Sequence, residues 1–196
     1  MFTRSIEALV DSDMPKNSKK WVPIEDISKN MILAVIASED NKFMTHHGFS
    51  FEDMQKAFKH NQKGKRIRGG STISQQTAKN VFLWHKRSYL RKGLEAYFTV
   101  LIEIFWSKER IMEVYLNSIE MGDGIYGVEA ASLEYFGVHA SELTKSQAAL
   151  IAVCLPNPRK YSPVNPSSYI TRRKNAILSV MRKLPPVNIP DNGKSK

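Results

Sequence analysis

From Ile27 to Ser38 the apolar residues fall on adjoining helical rows, Met31 with Val35 and Ile32 with Ile36. That spacing predicts a helix with a broad buried face. Gly93–Trp106 is apolar on nearly every side and predicts a buried central helix. Lys108–Asn117 reads as a third helix, and Lys145–Leu155 as a fourth, opened by the capping box Thr144-x-x-Gln147. Thr72-x-x-Gln75 offers the same kind of cap to a helix that follows a Gly-Gly turn, and Thr171–Leu184 closes the fold. Proline placement agrees: after Pro15 and Pro23 none occurs until Pro156, as a helical core requires. The four prolines from Pro156 to Pro166 predict an extended strap, His60–Gly70 a polar, mobile loop, and Pro185–Lys196 a frayed tail. Strand signals are thin and no internal repeat is present, so the predicted fold class is mainly α.

Length and cysteine content narrow this little. A chain of 196 residues suits one domain with room for a small lobe. Cys154 is alone, which excludes a disulfide scaffold and a Cys-based zinc cluster. Apolar runs such as Ile32–Ala37 and Val100–Ile102 fall far short of the roughly 18 residues that cross a bilayer, so no spanning helix is expected here. Glu7, Asp11 and Asp13 interrupt the stretch where the apolar region of a signal peptide would lie.

Charge changes the picture. The net charge is +10, and between Asp53 and Glu95 there is no acidic residue at all. Eleven of the 29 Lys and Arg fall there, so the other 18 nearly balance the 19 Asp and Glu. A field concentrated in one segment suits an anionic partner such as nucleic acid, anionic lipid or a phosphorylated substrate. A plain solvated basic face accounts for the charge equally well.

Candidate chemistry lies in two clusters. In the first, Glu39 and Asp40 end the apolar helix and lead into Phe43, His46, His47 and Gly48. The negative end of a helix dipole and nearby apolar side chains both raise a carboxyl pKa and fit it for proton transfer. The competing reading is a solvated helix end. His46 and His47 have no further ligand at metal spacing, so they read as structural. The second cluster runs from Gly69-Gly70 through Ser71, Thr72, Gln75, Gln76 and Lys79 to Asn80. Backbone N–H groups at a capped helix start bind phosphate or pyrophosphate, with Lys79 and Arg87 adding charge. The Gly-Lys-Ser/Thr ending of a P-loop is missing. Arg91 and Glu95 are one helical turn apart, in the less favourable order for an ion pair. Glu95 either pairs with a basic neighbour or takes part in chemistry.

Together these residues carry a resemblance. Glu39-Asp-x-x-Phe-x-x-His-x-Gly48, Gly70-Ser-Thr-Ile-x-Gln-Gln-x-x-Lys-Asn80, Arg91-Lys-x-x-Glu95, Lys108-x-x-Ile-x-x-x-Tyr-Leu-Asn117 and Arg172-Arg-x-x-x-Ile-Leu178 resemble the five ordered motifs of the family 51 peptidoglycan glycosyltransferases. With no transpeptidase domain after them, the chain resembles the monofunctional biosynthetic transglycosylases. The resemblance implies a lysozyme-like helical fold with a larger lobe and a small mobile lobe that faces the membrane. It implies a glycosyltransferase domain over residues 21–184, a juxtamembrane remnant over 1–20 carrying Phe2, Ile6 and Leu9, and a flexible tail over 185–196.

The implied reaction polymerises lipid II into β-1,4-linked strands with inversion and release of polyprenyl pyrophosphate. Glu39 would be the general base and Glu95 the second essential acid. Asp40, Phe43, His46, Gly70, Ser71, Thr72, Gln75, Gln76, Lys79, Asn80, Arg87, Arg91 and Lys92 would bind substrate, with Lys79 and Arg87 neutralising the departing pyrophosphate. No cofactor is firmly implied, and a divalent cation such as Mg2+ or Mn2+ stays open at Glu95. Lipid II, the growing glycan strand and the membrane surface are the implied partners, with cell-wall synthases and transpeptidases as further candidates and no nucleic acid. The implied place is the outer face of the bacterial cytoplasmic membrane, with Phe82, Leu83 and Trp84 entering the interface. Two readings stand beside this one. A lytic lysozyme-like hydrolase shares the fold and a catalytic Glu but needs no such concentration of cations. A nucleic-acid-binding module explains the charge and not the paired acids.

Overall fold

The computed structural model describes residues 18–187 apart from 63, 65–69, 85 and 87. Within them the element order is β1 (Ser18–Lys19), α1 (Lys29–Glu39), α2 (Phe51–Gln62), α3 (Ile73–Phe82), α4 (Tyr89–Phe105), α5 (Lys108–Ser118), β2 (Glu120–Gly122), β3 (Ile125–Tyr126), α6 (Val128–Phe136), α7 (Lys145–Cys154) and α8 (Ser168–Met181), with single 3-10 turns at Ile24–Asp26 and Ala140–Glu142. The fold is mainly α, as expected. It divides into a larger unit, the chain up to Asn41 and from Met112 on, and a smaller one, Lys42–Ile111.

In the larger unit α1 packs on α7 and α8, which pack on each other. Met31, Ile32, Val35 and Ile36 of α1 are buried with Ile151 and Val153 of α7 and Ile170, Ile177 and Met181 of α8. Each large side chain buried this way contributes about 1.5–3 kcal/mol. Ala34, Ala37, Ala148, Ala149 and Ala152 are buried too, and such small side chains let helix axes approach closely. The start of α1 is fixed by Ser28, whose Oγ accepts from Asn30 N (3.3 Å) and donates to Leu143 O (2.8 Å). Asn30 Nδ2 donates to the same carbonyl at 2.9 Å. The predicted capping box opens α7, with Gln147 N on Thr144 Oγ1 and Thr144 N on Gln147 Oε1.

Three short strands complete this unit in the order β1-β3-β2, with β1 parallel and β2 antiparallel to β3. Asn117 is fully buried, and its amide closes a long-range joint. Its Oδ1 accepts from Val22 N (2.9 Å), and Nδ2 donates to Val22 O (2.8 Å) and Glu113 O (2.9 Å). Gly127 passes close by with φ +84°, where an added Cβ would lie 3.0 Å from Asn117 O. Positive φ and that approach together require glycine.

In the smaller unit α3 packs on α4. The buried face of α3 holds Ile73, Ser74, Gln75, Thr77 and Ala78, and that of α4 holds Glu95, Thr99 and Ile102. Thr77 and Thr99 satisfy their hydroxyls on their own helices, donating to Ile73 O (2.9 Å) and Glu95 O (2.6 Å). Phe82 stacks on Phe98 with ring centroids 4.7 Å apart.

Three expectations change. The helix expected over Gly93–Trp106 begins at Tyr89, capped by Ser88, and is not buried all round. Its covered face is partly polar, and Leu90, Tyr97, Val100, Ile104 and Phe105 lie exposed. The loop expected from His60 starts later, because α2 runs to Gln62. The strap after Pro156 is a chain of turns, since Cys154 O and Asn157 O accept turn hydrogen bonds from Asn157 N (3.0 Å) and Lys160 N (3.1 Å). Arg159 pins it to Glu120 at 3.0–3.2 Å. Most of the 1–20 remnant and of the 185–196 tail lies outside the described residues, Phe2, Ile6 and Leu9 included.

Glu129 of α6 is a buried acid of the larger unit, apart from Glu39 and Asp40 in the sequence. Burial pushes its carboxyl up, but the Ala140 N–H (2.8 Å), His139 Nδ1 (2.8 Å) and Lys20 Nζ (3.1 Å) outweigh that and hold it below the ordinary 4.5. A lowered carboxyl stabilises the fold above its unfolded pKa and loses that contribution as pH falls through the folded value. Glu129→Gln is therefore expected to cost about 1–3 kcal/mol at neutral pH. The difference from wild type should shrink in acid, as denaturant titrations at pH 7 and below pH 4 would measure.

Candidate active site

Glu39 is the last residue of α1 and Asp40 its C-cap, with Asp40 N donating to Ile36 O at 3.1 Å. Asp40 is buried, whereas Glu39 is half-exposed, a charged group at the end of an apolar post. Ser38 Oγ lies 3.0 Å from Glu39 Oε1. From α5 comes Tyr115, fully buried, whose phenol is pushed up first by burial and then by the charges of Glu39 and Asp40. The larger unit thus gathers two acids, a serine hydroxyl and a neutral phenol.

The smaller unit carries the second cluster read from the sequence. Thr72 and Gln75 form the predicted capping box of α3: Gln75 N donates to Thr72 Oγ1 (3.2 Å) and Thr72 N to Gln75 Oε1 (3.0 Å). Thr72 Oγ1 also donates to Gly48 O at 2.6 Å. Both side chains are buried, so they shape the helix start rather than face solvent. Ser71 is exposed, and Gly70, Gln76, Lys79 and Asn80 are half-exposed. Gly69 and Arg87 lie outside the described residues. Phe43 is buried, packed edge-on near His46, and His46 Nδ1 accepts from Gly48 N at 3.1 Å. These two set the turn that follows the acids.

Glu95 is buried between cations from its own helix. Lys92 Nζ contacts Oε1, and Arg91 Nη1 lies 3.5 Å from Oε2. The structural pairing weighed from the spacing is therefore present, with Lys92 added. Arg91 Nε is buried and has no hydrogen-bond partner, a donor that a phosphate oxygen would satisfy. A divalent cation at Glu95 would have to displace both cations. Among the described residues no three His, Cys, Asp or Glu side chains come together as a candidate metal site.

One acid escaped the sequence reading. Glu103 of α4, nearly buried, accepts from Lys108 Nζ on both oxygens (2.8 and 2.9 Å) and from Ser74 Oγ. Lys108 Nζ also sits 4.7 Å from the centre of the Phe43 ring. Gly48, with φ +86°, passes so close that an added Cβ would lie 3.1 Å from Glu103 Cγ. This group ties the His46–Gly48 turn and the start of α3 to α4. The Glu103–Lys108 spacing of five gave no helical pairing signal, and Ser74 is remote in sequence.

A transglycosylase family model matches residues 6–182. The chain belongs to the transglycosylase family. Among its relatives is the biosynthetic peptidoglycan transglycosylase of Bacteroides thetaiotaomicron, 54% identical over 95% of this chain and 77% of that protein. Proteins of the same name from Caulobacter vibrioides (58% identical, 81% of this chain and 69% of that protein) and Pseudomonas fluorescens (51%, 94% and 77%) are similarly close. The five motifs read from the sequence lie within the matched region of this transglycosylase.

Removing one partner of a buried ion pair leaves an uncompensated charge and costs about 3–5 kcal/mol. Lys108→Met is expected to destabilise the transglycosylase by that order. Lys108→Met with Glu103→Gln should recover most of the loss, because the amide still accepts from Ser74 Oγ without a charge. Denaturant unfolding of the two variants would check this.

Proposed function

We propose that this transglycosylase is a peptidoglycan glycosyltransferase that polymerises lipid II, with Glu39 as general base. The observation that carries the reading is the half-exposed carboxylate of Glu39 on a rigid apolar helix end, next to buried Asp40. Glu39 takes the proton of the acceptor's 4-hydroxyl as that oxygen bonds to the anomeric carbon of the donor strand. The bond from that carbon to the pyrophosphate oxygen breaks, and polyprenyl pyrophosphate leaves with the electron pair. Attack opposite the leaving group inverts the centre and gives a β-1,4 link. Negative charge grows on the pyrophosphate, so fixed cations and N–H dipoles act most strongly there. The capped start of α3, Lys79, Arg91 and Lys92 are suited to that task, and Glu95 holds the last two in place.

Glu39→Gln keeps shape and removes the base. Polymerisation of lipid II should fall by about 10²–10⁴-fold with folding and lipid II binding retained. Normal strand synthesis by this variant would overturn the assignment, and cleavage of preformed glycan by the wild type would favour a hydrolase.

An enzyme of peptidoglycan synthesis works in the cell envelope, and we place its substrate-loading face at the outer surface of the cytoplasmic membrane. Among the described residues no helix is long and apolar enough to cross a membrane. Support for surface docking comes from α4, where Tyr97, Val100, Ile104 and Phe105 are 57, 46, 68 and 75% exposed, with Lys92 and Lys86 exposed as well. Of the three residues expected at the interface, Phe82 stacks on Phe98, and Phe82 and Trp84 remain exposed. Each cation near an anionic leaflet adds about 1 kcal/mol. Wild type should therefore co-sediment with anionic vesicles in a salt-sensitive way, and Val100→Ser with Ile104→Ser should reduce it without loss of fold.

A further inference from the structure

The hydroxyl of Ser38 makes a contact with the reacting carboxylate that none of the motifs contains. Ser38 stands one residue before Glu39 in the last turn of α1, half-exposed, with Oγ 3.0 Å from Glu39 Oε1 and 3.3 Å from Ala152 O. It has one proton for two acceptors. Ala152 O also accepts from Leu155 N at 3.3 Å, so it does not depend on Ser38. The carboxylate is the shorter contact and carries charge, and hydrogen bonds to ionised acceptors are the stronger kind. We infer that Ser38 is a positioning residue for the general base, orienting the Glu39 carboxylate through Oε1 and setting its basicity. This rests on Glu39 being the base, as proposed above.

The consequence has a definite sign. A donor to the ionised form favours that form, so Ser38 holds Glu39 ready as a carboxylate at lower pH than it would otherwise be. The same bond weakens when Glu39 takes the acceptor's proton. Ser38 therefore extends the working range of the base toward acid and limits the rotation of its carboxylate, at some cost in proton affinity. Other ionisable groups stand beside Glu39, act on it or lie on the helices packed against α1. Asp40 is its chain neighbour, and Tyr115 comes from α5 with its phenol pushed up by burial. From α7, Cys154 is buried with its thiol pushed up to about 12. The remaining packed helix, α8, carries Arg172, Arg173 and Lys174. All of these are unchanged by substitution at residue 38, so a difference between profiles reports the hydroxyl.

The test is the pH dependence of kcat/KM for lipid II polymerisation by wild type, Ser38→Ala, Ser38→Cys, Ser38→Thr and Glu39→Gln. Alanine favours the helix and orphans no buried donor, so Ser38→Ala should fold with an unchanged thermal midpoint. Its acid limb should move up by about one pH unit. At the plateau kcat should fall several-fold with KM little changed. Ser38→Cys, a weaker donor of similar size, should shift the limb in the same direction and serves if the alanine variant fails to fold. Ser38→Thr keeps a hydroxyl and should restore the wild-type profile. Coincident acid limbs for wild type, alanine and cysteine variants, with Glu39→Gln inactive, would overturn the role of Ser38 and leave Glu39 as base. Activity retained in Glu39→Gln would overturn both.

Discussion

Burial of α1 is the constraint on which the larger unit depends. A helix so apolar has to be covered, and α7 and α8 cover it with alanines that permit close approach. Once covered, its position is set to within the tolerance of a close-packed core, where a single methylene is felt. The two acids at its end inherit that rigidity. Orientation of a catalytic group is worth several kcal/mol of barrier in general, and for the proposed base it begins with core packing, to which the Ser38 contact adds.

The smaller unit solves a different problem, which is to keep cations and N–H donors together without their mutual repulsion undoing the fold. It does so with two buried carboxylates. Glu95 sits with Arg91 and Lys92, and Glu103 sits with Lys108 and Ser74. Each buried acid is matched by cations within the same unit, so the charges of both groups are compensated locally. The turn at Gly48 and the helix start at Thr72 share one hydrogen bond, and so motifs far apart in sequence share one scaffold.

Much of this was legible from residue spacing, and the failures have physical causes. The apolar rows of α1 and both Thr-x-x-Gln capping boxes translate directly into structure, because each is a local pattern with a local cause. The short helix α6 is buried on several sides and bounded by Gly127 and Gly137, so no period marks it. For α4 the composition is apolar on most faces, and sequence alone does not say which face finds a partner. The face that is covered centres on Glu95 and Thr99, which a hydrophobicity reading ranks last. Glu103 was missed because its meaning comes from Ser74, 29 residues away. The family motifs supplied the site residues, but not the division of labour among them. Asn117 turns out to hold Val22 in place, and Thr72 and Gln75 to hold a helix end.

The discontinuity of the larger unit sets an order for its making. Residues 42–111 form an uninterrupted run and can close on local contacts as soon as they leave the ribosome. The helix that carries Glu39 is made before that run, yet its covering helices begin only at Lys145 and Ser168. While the residues between α1 and α7 are made, Met31, Ile32, Val35 and Ile36 therefore have no native partner from α7 or α8. A nascent chain in that state exposes a sticky apolar helix and needs a chaperone or rapid completion to escape aggregation. Glu39, the proposed base, is thus made well before the helices that hold its own helix in place.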